Sequence, residues 1–324
     1  MQLSPSAMRQ ATKSFRELFG DMTLNQLLAD WQLKPIKIEQ EEWLHFPPPQ
    51  FIAWAQRFTR HPFDGIPPAT HYKQPPSFLL SQTHRIWLSA KLVVDNAGLD
   101  GSLVDFGSFP FTVPLVLRDY FGYRGPMTAT AIQPGSDAMQ AILDQYQIQL
   151  DMLDLDPFVV DLARGTPPPQ HLACAAGSAD VVTMFHVIEH LYHPMEALRE
   201  AHRILREGGR LIITTDNALM LNTLTNYVAN VGYIFEPVAN TCAMSFHDWR
   251  GHVRFFTSDD LRTMAEAAGF SGVELGFEQV FYDVFHDAYF ADPRPYLPGW
   301  QKSILKNHRQ FANDVFLIAT KTAH

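Results

Sequence analysis

Residues 178–217, SADVVTMFHVIEHLYHPMEALREAHRILREGGRLIITTDN, decide how this chain is read. Asp180 to Phe185 is a short apolar run with a β-branched start, as in a strand buried on both faces. A histidine- and glutamate-rich loop follows, and Pro194 suits the first turn of the next helix. Within that helix Ala197, Leu198, Ala201, Ile204 and Leu205 form one stripe, while Arg199, Glu200, Arg203 and Arg206 are expected to face out. Gly208 is expected to stop the helix in a left-handed cap, and Arg210 to Thr215 to form a second buried strand. Strand, helix and strand in this order make a parallel α/β unit. Such sheets bind ligands at the carboxyl ends of their strands, where the polar loop lies.

His186, Glu189 and His190 also spell H-x-x-E-H, an inverted zinc-protease motif. That chemistry needs the three residues on one helix with both histidines on one face. Here His186 follows directly on the strand, so the motif is expected to straddle a strand end and a loop, and no metal is assigned.

Working outward, an α/β rhythm runs from residue 86 to the C-terminus. Helices are expected at Ile86–Ala97, Thr112–Phe121, Ser136–Tyr146 and Ser258–Ala268. Strands are expected near Ser102–Phe106, Met127–Ile132, Ile148–Leu155, Val273–Phe281 and Asp314–Thr320. Residues 218–256 are too long and too rich in aromatics, Asn, His and Arg for a simple connection, and read as a lid insertion. Residues 1–85 read as a helical, proline-rich extension packed on the main domain. Apolar spacing there favours helix from Ala7 to about Leu33, and Trp43, Phe46, Phe51, Trp54, Phe58 and Phe63 are too aromatic for a disordered linker.

Composition narrows the function. A net charge of −9 argues against a nucleic-acid backbone as the main partner, because that binding rests on clustered Lys and Arg. No apolar run approaches the ~20 residues that span a bilayer. The two cysteines, Cys174 and Cys242, lack metal-ligand spacing and read as reduced thiols of a cytoplasmic protein. No feature sets an oligomeric state.

The pattern HVIEHL, then REGG at Arg206–Gly209, then TTDN at Thr214–Asn217 resembles the second half of the class I S-adenosylmethionine-dependent methyltransferase domain, in its small-molecule, UbiE/UbiG-like branch. HVRFFTSDDLRTMAEAAGF at 252–270 resembles a further segment of that family. The resemblance implies a Rossmann-like α/β fold with a mostly parallel seven-stranded sheet and helices on both faces. It also implies S-adenosylmethionine as cofactor and a small-molecule acceptor. Departures stand at His186, where the family pattern has Glu, at Glu207 for Pro, and at Asp216 for Pro.

By the same resemblance, LVDFGSFPF (103–111) is the cofactor loop, with Asp105, Gly107, Ser108 and Phe109 near the methionine part. Ser108, Phe109 and Pro110 replace the usual glycines, and the residues alone equally suit an ordinary strand-to-helix turn. Gln133 stands where an acidic residue commonly meets the ribose. Asp154 and Asp156, or Asp161 slightly later, and Phe185 are the candidates near the adenine. His186, His190 and Glu189 are the catalytic candidates, with Asp216 as a possible orienter, since histidine is the natural base near neutrality. Asn217, Trp249, Arg250 and His252 are the substrate candidates, alongside Tyr233, Phe246 and Arg254. The expected reaction is methyl transfer to an oxygen or nitrogen of a small-molecule, sugar or lipid-linked acceptor. The alternatives are a catalytically weakened interaction module and, further off, a metal-dependent hydrolase using His186, Glu189 and His190. In a related RNA-modifying branch a Glu/His cluster at this point binds a divalent metal, and by that resemblance His247 or His252 would complete such a site.

Overall fold

The computed structural model describes residues 45–58, 79, 82–132, 137–155, 171–221, 223–224, 251–281 and 299–322. The expected helix at Ala7–Leu33, the lid between residues 225 and 250, and Gln133, Asp156, Asp161, Tyr233, Phe246, His247, Trp249 and Arg250 lie outside them. The described elements run α1 (Pro49–Phe58), α2 (Thr83–Ala97), β1 (Leu103–Phe106), α3 (Thr112–Asp119), β2 (Met127–Ala131), α4 (Asp137–Gln145) and β3 (Gln149–Met152). Then come β4 (Ala179–Phe185), α5 (Pro194–Ile204), β5 (Leu205–Asp216), α6 (Ser258–Ala267), β6 (Phe270–Glu278), α7 (Gly299–Asn307) and β7 (Asp314–Lys321).

The strands form one seven-stranded sheet in the order β3-β2-β1-β4-β5-β7-β6. The pairs from β3 to β5 are parallel, and β7 enters antiparallel between β5 and β6. This is the Rossmann-like, mostly parallel sheet that the family resemblance implies. Strand order reverses between β1 and β4, so their carboxyl ends flank the crevice where such sheets bind ligands.

Both faces are covered. Val104, Phe106, Met184, Leu198 and Ile213 pack in one cluster; Leu103, Val181, Ile212, Trp87 and Leu115 pack in the other. α1 joins the second cluster through Phe51, Trp54 and Phe58, with Trp54 stacked on Phe58 and packed against Tyr120, and its Nε1 donating to Asp119 at 2.5 Å. Burying each such ring contributes about 1.5–3 kcal/mol. The prolines explain where α1 begins. Pro49 is its first residue, where a missing N–H costs nothing.

Two details of the decisive segment differ from the reading above. α5 ends at Ile204, and Leu205 is already extended (φ −66, ψ 138) and paired with Ala179. The next aligned pair is Val181 with Arg210, so residues 206–209 bulge out of β5, and Gly208 (φ 76) serves that bulge instead of capping the helix. Glu200, expected to face out, is buried. It accepts hydrogen bonds from Arg203 at 2.7 Å and from the Leu172 N–H at 2.9 Å, and meets His171 Nδ1 at 2.9 Å, pinning the chain that leads into β4. α6 forms as its sequence suggests, with Thr257 and Asp260 making a reciprocal capping box. α7 was not legible in the sequence pattern.

Candidate active site

Asp105, at the end of β1, is buried and accepts from Thr183 Oγ1 at 2.6 Å. Burial pushes its carboxyl up to about 6, against the hydrogen bonds from Thr183 and Ser108. At neutral pH it is an ionised, poorly solvated carboxylate facing a cavity, a natural partner for an ammonium. Gly107 (φ 66) follows; a Cβ there would stand 2.7 Å from Val187 Cγ2. Only glycine lets the β1 loop close against the loop after β4. Ser108 is buried, with Oγ donating to the Asp105 carbonyl at 2.7 Å and N donating to the Thr130 carbonyl at 2.8 Å. Phe109 is half exposed over the same cavity, joined to Pro110 by a cis peptide.

β4 delivers Phe185 to the cavity wall, and His186 then takes a left-handed backbone (φ 53). Ile188–His190 is a single 3-10 turn. The H-x-x-E-H residues therefore do straddle a strand end and a turn, and the one-helix zinc-protease geometry is absent. His186 lies between carboxylates: Nε2 is 3.1 Å from Asp314 Oδ2, and Nδ1 is 3.2 Å from Glu189 Oε1. Burial, the largest influence, and Arg85 both push this imidazole down. The Asp314 and Glu189 carboxylates outweigh them and raise it to about 9. Burial would raise Glu189, but the hydrogen bond and charge of His186, with His190 and His252, hold it below the usual carboxylate range. Thr215 Oγ1 donates to its other oxygen at 2.8 Å.

His252 enters from the segment before α6, anchored by the neighbouring Val253 N–H donating to the Glu189 carbonyl at 2.8 Å. Its ring stands 4.6 Å from that of His190, and Nδ1 is 3.5 Å from Asp216 Oδ2. Burial lowers its pKa. Burial also raises Asp216, to about 6, helped by Glu189 and opposed by His186.

Strand register explains why so many acids meet here. Asp216 of β5 aligns with Asp314 of β7, which aligns with Glu278 of β6. Like charges directly opposite repel, and basic side chains stand among them. His252 Nδ1 orients toward Asp216, His186 lies between Glu189 and Asp314, and Glu278 takes Arg309 at 2.7 Å and His45 at 2.5 Å. His45 belongs to the segment before α1, so this row of acids also fastens the N-terminal part to the sheet. The His45 carbonyl meets Nε2 of buried His84 at 2.7 Å. Glu189, His190 and His252 place ligand atoms within 4.8 Å of one another, a set that could share a divalent cation.

One cavity collects Asp105, Gly107, Ser108, Phe109, Phe185, His186, Glu189, His190 and His252, nine residues that the sequence nominated. Asp154 is buried, but the wall beside it is made by Leu153 and Leu155. Asn217 is not brought to the cavity. It is fully buried, and its Nδ2 donates to the carbonyls of Gln310 and Ala312, both at 2.7 Å. Arg254 donates to the Tyr192 carbonyl at 3.0 Å, outside the wall. Sequence reasoning missed Arg85 and Ser89, which reach the wall from α2, and Asp314, which holds His186 from 128 residues away. An arginine on the helix leading into β1 was a usable signal for the first; nothing local pointed to Asp314.

A family model described as a methyltransferase domain matches residues 90–275. The chain is 30% identical over 140 residues to the ubiquinone biosynthesis O-methyltransferase of Ruegeria pomeroyi, covering 43% of this chain and 51% of that protein. It is 32% identical over 98 residues to a probable S-adenosylmethionine-dependent methyltransferase of Mycobacterium tuberculosis, covering 30% of this chain and 29% of that one. The matches thus span about half, or less, of these relatives' length. Among solved structures, a methyltransferase from Thermotoga maritima, described as a possible histamine N-methyltransferase, is 16% identical with a TM-score of 0.47, over 76% of this chain and 93% of that one. Because the family match extends over more than half of the sequence, this chain belongs to the methyltransferase domain family.

Proposed function

We propose that this chain transfers the methyl group of S-adenosylmethionine to an oxygen or nitrogen of a small-molecule, sugar or lipid-linked acceptor. The observation that carries this is a cavity at the β1/β4 reversal whose wall includes both a buried carboxylate, Asp105, and a histidine pair, His190 and His252. Asp105 and Arg85 supply opposite charges for the ammonium and carboxylate of the cofactor's methionine part. Leu153, Leu155, Ile132 and Phe185 supply an apolar wall for its base.

Bound S-adenosylmethionine supplies a methyl group on a positively charged sulfur. The rest is positioning and proton handling. His252 suits the base, because burial keeps it neutral near pH 7 and Asp216 orients its ring. His190, ring to ring with His252, faces the acceptor. His186 is moved from base to positioning residue, since carboxylates meet both of its nitrogens and hold it cationic. With cofactor and acceptor bound, His252 would take the proton that the acceptor atom gives up on being methylated, and His190 would hold the acceptor in line.

In this reading residues 1–85 form an extension that shields a domain of residues 86–324, and the protein works in the cytoplasm. Among the described residues no helix is long and apolar enough to cross a membrane. The name of the Ruegeria relative favours oxygen as the acceptor atom. The test is transfer of a tritiated methyl group from S-adenosylmethionine into small-molecule extracts. Labelled product with the wild type and none with His252→Ala supports the proposal. Binding of S-adenosylhomocysteine with no labelled product in any extract favours the interaction-module alternative.

A further inference from the structure

The β1 loop is built so that its main chain has little left to offer a ligand. Gly107 N–H donates to Thr130 Oγ1 at 3.0 Å, Ser108 N–H to the Thr130 carbonyl at 2.8 Å, and Phe111 N–H to the Ser108 carbonyl at 2.5 Å. Pro110 has no N–H. The Ser108 hydroxyl is itself turned inward, donating to the Asp105 carbonyl at 2.7 Å and accepting from Thr130 N–H at 3.2 Å. A glycine-rich turn would present such donors to its ligand. Here those of Gly107 and Ser108 are taken up in joining the loop to β2, and that of Phe111 in closing the turn on Ser108.

What the loop presents instead is a ring. Phe109 is 39% exposed, and among the described residues only Tyr192 is another exposed large hydrophobic side chain. Phe109 is in the cavity wall, edge-on to buried Phe111 with ring centroids 5.8 Å apart. Phe111 is locked in place, so this contact holds the Phe109 ring as well. A phenyl face carries a negative quadrupole and attracts weakly hydrated cations, and its own hydration cost disappears when such a cation covers it.

We propose that Phe109 recognises the positive charge of the cofactor sulfonium, replacing the contacts of a glycine-rich turn by a cation–π contact that the uncharged product cannot make. The proposal rests on the methyltransferase reading of this cavity. It gives the loop a function that donors could not supply. Methyl transfer turns a sulfonium into a neutral thioether, so a ring that holds the first and not the second favours entry of the cofactor and departure of its product. Asp105, at the root of the same loop, meets the methionine ammonium in both forms and does not discriminate between them.

Calorimetric titration of the full chain with S-adenosylmethionine and S-adenosylhomocysteine tests this without an acceptor. Phe109→Leu keeps apolar bulk and removes the ring; Phe109→Trp keeps a ring. Because Phe109 is exposed, both variants are expected to unfold at the wild-type temperature. Phe109→Leu is expected to weaken S-adenosylmethionine about fivefold to thirtyfold and S-adenosylhomocysteine less than about twofold, with Phe109→Trp preserving the wild-type ratio. Equal weakening of both ligands, or of neither, overturns the proposal and leaves the methyltransferase reading intact. Failure of the wild type to bind either ligand at millimolar concentration overturns the reading itself, and the proposal with it.

Discussion

The two sides of the cavity are built from different materials. Among the described residues, the β1–β2–β3 side brings one ionisable group to the cavity wall, Asp105, set among hydroxyls, main-chain groups and apolar side chains. The β4–β5–β7 side packs Glu189, Asp216 and Asp314 against His186, His190 and His252 within a few ångströms. A nearly neutral wall suits a ligand that brings its own charges. A dense, internally balanced set of acids and imidazoles suits proton transfer, because small changes in position move protons between partners. On the proposed function, the difference divides the groups that would hold a cofactor from those that would act on an acceptor.

The sharpest way to break this division is His252→Ala. It is expected to lower the rate of methyl transfer about 100-fold to 10,000-fold, the usual worth of a general base, with affinity for S-adenosylhomocysteine unchanged. Equal loss of affinity would mean that His252 serves both sides. Next in size is Asp314→Asn, which leaves the His186 imidazolium short of a buried counter-ion. Breaking such a pair costs about 3–5 kcal/mol, read from urea unfolding at pH 7. The variant His186→Gln, which removes the charge instead of stranding it, is expected to cost less.

Titration sharpens the same point. The pKa of His186 is raised in the fold to about 9 from 6.5, so its stabilising effect is complete below about pH 6.5 and is lost as pH rises through 9. Wild-type stability should fall on the order of 2–3 kcal/mol between pH 6.5 and 10 on this account, while that of His186→Gln stays flatter. On the other side the sign is the same but the window is lower. Asp105 is raised from 3.8 to about 6, so stability is lost as pH rises between those values and the full cost of its ionisation is carried by the empty protein above about pH 6. Asp105→Asn is expected to stabilise the ligand-free chain at pH 7 by about 1–2 kcal/mol and to weaken cofactor binding. A variant that is destabilised, or that binds normally, would remove Asp105 from the cofactor side.

The cofactor side was the more legible in sequence. Asp105, Gly107, Ser108 and Phe109 are consecutive or nearly so, and a strand-to-helix turn places them together by local geometry alone. His186, Glu189 and His190 were legible for the same reason. The roles on the other side were not, because they depend on strand register. Asp314 reaches His186 only through the antiparallel insertion of β7, and its carboxylate is one of the groups that raise the His186 pKa. Asn217 looked like a substrate residue from its motif and is a brace for residues 310–312. Gly208 shows the limit of a local rule: a glycine after a helical stripe usually caps, and here strand pairing claims the backbone first.

A co-crystal structure with S-adenosylhomocysteine tests the central claim most directly. The account predicts that the ligand spans the β1/β4 crevice, with its amino-acid end beside Asp105 and its sulfur between Phe109 and the His190–His252 pair. A ligand bound elsewhere, or one whose amino-acid end lies against the histidines, would contradict it.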